Sequence, residues 1–353
     1  MIRSVELKDI DRIIYLEETY LGESIGKKLL TESITTPHQH FYTIEEDLVI
    51  GYIGACILAG ETEVLNFVID EAYQRKGYGQ TLLNKIIEEF VTTMRNNFDD
   101  ETLKNLYDNI KWVLFKKFKV KGTNGEYLSA TNVIRIVNEG SVGTINHELL
   151  HMSANPYDDT NNFGGFFYTI DKYKIGYGLD EGYTELLNKR YFGSRSDNIY
   201  ETEVIFCKFL EEIVGQKKME KMYLTANLFG LIQDLKQIYD VKEIERFMAA
   251  LDFINDYNYR SMISDIEITN LYEQVELAIL FIFKGYCGRL TDKTMPEDLI
   301  EMDTSNYLET LFGELEFEPD EKLINKINLI IQEKLNKNVK LNINRFKVTK
   351  NVL

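Results

Sequence analysis

The sequence predicts an α+β protein in three parts: an α/β region over 1–95, a mixed central region over 96–200 and a helical region over 201–353. At 353 residues the chain exceeds the roughly 250–300 at which a single core stops growing. The apolar period also changes along it. Strand-like stretches at Phe41–Ile44, Leu48–Leu58 and Glu63–Asp70, with a turn at Ala59-Gly60-Glu61, give way to helical spacing in Leu82, Leu83, Ile86, Ile87, Phe90, Val91 and Met94. From Tyr200 onward the helical period dominates, as in Val204, Phe206, Phe209, Leu210 and Ile213, and again in Val275, Ala278, Ile279, Ile282 and Phe283. Between these regions, Trp112–Val120 and Asn132–Val137 read as strands, and the polar stretch from Arg95 to Glu101 reads as a boundary.

Composition excludes several classes of function. A net charge of −17 opposes nucleic-acid binding, which needs a surplus of cations to displace counterions from phosphates. The basic run Lys111, Lys116, Lys117, Lys119 and Lys121 reads as a solvated face. Cys56, Cys207 and Cys287 are too scattered for a disulfide framework or a thiolate metal site. Glu6, Lys8, Asp9 and Asp11 interrupt any N-terminal leader. The apolar run Ala278–Phe283 is too short to cross a bilayer, so the expected location is cytoplasmic, with no membrane partner.

One motif carries metal chemistry. In the segment Thr144–Met152, His147 and His151 stand four apart, so on a helix both imidazoles share one face. Ser141 is a candidate N-cap, and Val142, Ile145, Leu149 and Met152 form an apolar stripe on the other side. Only four histidines occur, and none follows His151, so a downstream carboxylate is the expected third zinc ligand. His38 and His40, in a loop before the second strand, read as polar surface.

The best candidates for that carboxylate lie in Asp180-Glu181-Gly182-Tyr183-Thr184-Glu185. The plain alternative for Glu181, weighed below the ligand role, is a helix-start carboxylate, and for Glu185 it is a solvent-facing position. With HExxH, this segment resembles the gluzincin metallopeptidases. The resemblance implies a zincin-like core with a helical C-terminal domain. It also implies that zinc is held by His147, His151 and Glu181, that Glu185 orients a zinc histidine, and that Glu148 is the catalytic base that activates a metal-bound water against a peptide or protein substrate. It places an edge strand for substrate at Asn132–Val137 and calls for an oxyanion donor, for which Tyr168, Tyr177, Tyr183 and Tyr191 are available.

A second resemblance lies nearer the N-terminus. Gln74-Arg75-Lys76-Gly77-Tyr78-Gly79 follows a strand and opens a long helix, an arrangement that turns backbone N–H groups toward a pyrophosphate. It is similar to the Q/R-x-x-G-x-G/A signature of GNAT acetyltransferases. The resemblance implies a partial GNAT-like α/β domain that binds CoA or acetyl-CoA through Gln74, Gly77 and Gly79. It stops near Met94, before the fifth strand that the family needs, so the expectation is CoA binding without acetyl transfer. Three readings follow: a zinc metallopeptidase (the leading one), an N-acetyltransferase, and a CoA-sensing regulatory protein with a structural zinc ion.

Overall fold

A computed structural model describes residues 1–22, 24–35, 41–58, 62–117, 125–136, 142–156, 163–171, 173–193, 200–258, 264–290 and 296–346. His38, His40, the 59–61 turn, Lys119, Lys121 and Ser141 lie outside the described residues, as do the Cys56 side chain and the ends of both predicted central strands. The chain divides into two compact units, 1–161 with 187–199, and 162–186 with 200–353.

The first unit opens with a four-stranded antiparallel sheet in the order β1 (Ile2–Ser4), β2 (Phe41–Glu45), β3 (Val49–Leu58), β4 (Thr62–Ile69). Helices α1 (Ile10–Tyr20) and α2 (Lys27–Thr35) bury Ile13, Leu16 and Leu30 against Phe41, Tyr52 and Val68. Register explains the choice of face. Tyr52 stands opposite Thr43 and Val68, so these three project together, while Tyr42, Ile53 and Phe67 project the other way. Helix α3 (Tyr78–Asn97) covers that second face and buries Leu82, Ile86, Phe90 and Met94, the spacing expected from sequence.

The same unit continues through α4 (Lys104–Asn109) to a three-stranded sheet ordered β5 (Leu114–Lys117), β7 (Val133–Ile136), β6 (Gly125–Leu128), and then to α5 (Val142–Ser153). The structure corrects the edge-strand expectation for Asn132–Val137. β7 is the central strand, parallel to β5 and antiparallel to β6, so its backbone hydrogen bonds are used on both sides. Asn132 is left-handed (φ 47°) and closes the turn before β7.

Asn109 ties these elements together. Its side-chain amide donates to Met152 O (3.0 Å) and Asn155 O (2.7 Å), closing the end of α5, and its own carbonyl accepts from Asn132 Nδ2 (2.8 Å).

The second unit holds a small sheet ordered β10 (Tyr173–Ile175), β9 (Phe167–Ile170), β8 (Phe163–Gly164), and the first ten residues of α6 (Tyr177–Phe192). It continues with α7 (Glu201–Val214), α8 (Gln216–Leu224), α9 (Leu228–Leu235), α10 (Val241–Asn258), α11 (Asp265–Arg289), α12 (Glu297–Glu314) and α13 (Glu321–Leu335). An aromatic stack centres its core, with Phe281 3.8 Å from Tyr239 and 4.1 Å from Phe247 between ring centroids. The Tyr239 hydroxyl donates to Phe281 O (2.9 Å), so the stack also satisfies its buried polar atom. Among the described residues, no helix is long and apolar enough to cross a membrane.

Two stability predictions follow from the first unit. Asn109→Ala removes two buried hydrogen bonds to main-chain carbonyls and should cost about 1–3 kcal/mol, read as a lower denaturation midpoint of the full chain. Burial opposes ionisation of Asp70, but the hydrogen bond from Arg12 (2.6 Å) and the N–H of Ala72 win, so its folded pKa lies below 3.8. A depressed carboxyl contributes stability above the unfolded pKa and loses it as pH falls through the folded value. Asp70→Asn should therefore flatten part of the stability loss below about pH 4.

Candidate functional site

The loop from β4 to α3 is built to expose backbone donors. Asp70 caps its first turn by accepting from Ala72 N (3.1 Å), and Arg12 spans Asp70 Oδ2 and Val49 O (2.9 Å), locking α1 to the ends of β3 and β4. Gln74 braces the loop from beneath, its Nε2 donating to Ile69 O (2.9 Å). The chain then reverses through two left-handed residues, Arg75 (φ 61°) and Gly77 (φ 89°), before α3 begins. Thr81 N makes the first helical bond, to Gly77 O (3.1 Å). Among the described residues, the N–H groups from Arg75 to Gln80 reach no backbone carbonyl, which leaves a cluster of donors at the positive end of a 20-residue helix.

The two glycines have different tasks. Gly77 adopts a φ that a β-carbon disfavours, whereas Gly79 permits close approach, since a β-carbon there would stand 3.1 Å from Phe67 Cζ. Arg75 and Lys76 add exposed positive charge beside the donors. The arrangement suits a pyrophosphate.

The second candidate cluster begins on α5. His147 and Glu148 are buried and His151 half-buried, and the two histidine Nε2 atoms stand 3.0 Å apart. Two nitrogens each about 2.0–2.1 Å from a tetrahedral zinc ion would be separated by about 3.3 Å, so the pair matches metal spacing closely. Ile145, Leu149 and Met152 are buried as the stripe predicts, but Asn146 and Leu150 are buried too. The helix is enclosed on more than one side. β6, which the sequence did not reveal, runs beside it. A β-carbon on Gly125 would lie 2.6 Å from Thr144 Cγ2 and 3.0 Å from Glu148 Oε1, so this glycine fixes the space Glu148 occupies.

In the second unit, Asp180, Glu181 and Glu185 are all buried on α6. Asp180 Oδ1 accepts from Phe166 N (2.7 Å), which gives it a structural task in the preceding turn. Asp252, on α10, accepts from Gly176 N (3.0 Å) and Gly178 N (2.8 Å) and so caps α6 from a distant point in the sequence. A β-carbon on Gly178 would meet Leu251 O at 2.2 Å, and one on Gly182 would meet Glu203 Cβ at 2.6 Å and its backbone within 2.9 Å. The glycine after Glu181 is thus required by backbone packing on α7. Tyr183 donates to Glu211 Oε1 (2.6 Å), which commits its hydroxyl and removes it as an oxyanion donor. Among the described residues of the first unit, His147 and His151 bring together two imidazole nitrogens of the kind a metal ion takes.

Comparison with known proteins finds similarity in the N-terminal region, which contains this loop. The Acetyltransferase (GNAT) family model matches residues 10–98. These residues are similar to a GNAT acetyltransferase domain. A putative [ribosomal protein bS18]-alanine N-acetyltransferase of Bacillus subtilis (strain 168) is 27% identical over 89 residues, which are 25% of this chain. The chain spans 59% of that relative's length. No solved structure matches the chain.

These matches correct the leading expectation of a zinc metallopeptidase. The recognisable homology is to enzymes of acetyl transfer, and HExxH gives a ligand spacing that a structural zinc site can share, so it does not fix a hydrolytic class.

The glycines give opposed predictions for one kind of change. Gly182→Ala should destabilise the chain by about 1–3 kcal/mol, because the obstructing atoms belong to backbone. Gly313→Ala, on α12 with nothing within 4 Å, should instead stabilise it by up to about 1 kcal/mol. Paired denaturation curves test both; equal effects would contradict the packing argument.

Proposed function

We propose that the chain is an acetyl-CoA-dependent N-acetyltransferase acting on an amino group of a polypeptide, and that it also carries a zinc ion on His147 and His151, with Glu181 as the third ligand that the sequence pattern implies. The observation that carries the first part is the donor cluster from Arg75 to Gln80, lying within the segment that matches the acetyltransferase family. Those N–H groups would hold the pyrophosphate, with Gln74, Gly77 and Gly79 setting the loop that presents them. Among the described residues, no strand pairs with the outer edge of β4, so its backbone groups would be the ones to meet the amide groups of the pantetheine arm.

Acetyl-CoA supplies an activated thioester. The acceptor nitrogen attacks the carbonyl carbon, a C–N bond forms, the C–S bond breaks, and the sulfur leaves with the proton that the amine gives up. The domain's task is to hold the two reactants in attack geometry. The relative's name supports an alanine as acceptor, and a net charge of −17 favours a basic polypeptide. Zinc rests on the 3.0 Å histidine pair together with the sequence pattern around Glu181.

Calorimetry with acetyl-CoA should show one site on the full chain. Gly77→Val, which forces a β-branched residue into left-handed backbone, should weaken it about tenfold, the equivalent of about 1.4 kcal/mol. Acetyl transfer to basic peptides beginning with alanine should fall with it. Binding without transfer would favour the CoA-sensing reading, and absence of both would overturn the proposal. Metal analysis should find about one zinc per chain, lost in His147→Ala, while acetyl-CoA affinity stays unchanged.

A further inference from the structure

The loop before α3 carries two cations that the fold leaves uncompensated. Arg75 and Lys76 are exposed, and among the described residues neither forms an ion pair. Acidic residues outnumber basic ones in this chain, 57 to 40, yet the carboxylates at this end of the sheet are turned to other tasks. Asp70 accepts from Arg12 (2.6 Å) and Tyr20 (3.2 Å), and Glu46, in the turn between β2 and β3, accepts from the Tyr78 hydroxyl. Glu71, the other acid of the loop, pairs with neither cation.

Both cations are also placed. Lys76 holds its ammonium 5.0 Å from the centroid of the Tyr73 ring, which fixes the charge beside the loop and leaves N–H bonds for a second partner. Arg75 keeps a left-handed backbone (φ 61°) that glycine would adopt without strain, so a guanidinium is retained there at a conformational cost. The backbone donors from Arg75 to Gln80 suit the pyrophosphate, but CoA carries a third phosphate, a monoester on the 3′ carbon of its ribose. Such a group holds about two negative charges at neutral pH and is bound best by charged donors, a planar guanidinium above all.

We propose that Arg75 and Lys76 form a second phosphate subsite beside the backbone donors, which takes the 3′-phosphate of acetyl-CoA and makes the loop select it over the 3′-dephospho form. The subsite rests on the acetyl-CoA reading of the loop. It divides the ligand's charge by chemistry, with neutral N–H groups for the pyrophosphate and side-chain cations for the monoester.

Calorimetric titration of the full chain with acetyl-CoA and with acetyl-3′-dephospho-CoA tests it. The unaltered chain should bind acetyl-CoA about tenfold more tightly, and added salt should narrow that gap because the cations are exposed. Arg75→Gln/Lys76→Gln keeps both backbone N–H groups and removes both charges. It should bring the two ligands to about equal affinity while leaving the dephospho form bound as before, a result that a disrupted loop could not give. Equal binding of the two ligands by the unaltered chain would overturn the subsite and leave the acetyl-CoA reading standing. So would an equal loss for both ligands in the double variant, which would assign the cations to the pyrophosphate or to the loop's own fold. Binding of neither ligand would remove the acetyl-CoA reading and the subsite together.

Discussion

A buried carboxylate must be given hydrogen-bond donors, and in this chain the positions of helices and turns follow from how that demand is met. The desolvation of an anion costs several kcal/mol unless its lone pairs are satisfied. Glu17, fully buried in α1, receives the hydroxyls of Tyr52 and Ser24 and the N–H of Ile25, and thereby fixes the link from α1 to α2 against the sheet. Asp180 takes the N–H of Phe166, and Asp252 takes two N–H groups at the start of α6. Backbone donors and hydroxyls, more than lysine or arginine, hold these anions in place. That choice couples each acid to chain conformation, because a backbone N–H can be delivered only by placing a turn or a helix end beside it.

The same coupling explains which features could be read from sequence. The helical run of α3 and the histidine spacing of α5 depend on neighbours within one turn, so local pattern was enough. Gly77 was legible for the same reason, since a left-handed residue before a helix is a local event. Arg75 in the same conformation was not, because nothing in its side chain announces it. Asn109, Asp252 and Gly125 were invisible. Each acts on a segment that approaches only after folding, and the bond from Asp252 to Gly178 spans 74 positions. The misplacement of the edge strand has the same origin. Val133–Ile136 has the composition of a strand, but whether a strand is central or at an edge depends on partners, and β6 is a short Gly-Glu-Tyr-Leu stretch with no clear period.

Two motifs of unequal local strength also pointed to different chemistries. HExxH is the sharper pattern, yet what it specifies is only the placement of two imidazoles, and the structure gives that placement with the nitrogens 3.0 Å apart. Reaction class depends on what surrounds such a pair. The loop after β4 is the vaguer pattern on its own, but it sits in a stretch, residues 10–98, that matches the acetyltransferase family over its whole length. Context over a whole domain outweighs a five-residue spacing, because many independent packing choices must agree before a domain is shared.

Glycine completes the argument, since at the sites that matter it acts through what it omits. At Gly178 and Gly182 the omission lets α6 meet backbone atoms of α10 and α7 directly. Side-chain layers normally keep packed helices about 8–10 Å apart, and removing the β-carbon at both contacts lets the backbones close that gap. The buried acids of α6 are then held by a helix that cannot shift without moving two others. A larger residue at either position would have to be accommodated by moving main chain, which cores resist more than they resist repacking of side chains. The pattern Asp180-Glu181-Gly182 therefore carries two packing messages: Asp180 holds the preceding turn through Phe166 N, and the glycine sets the contact with the neighbouring helix.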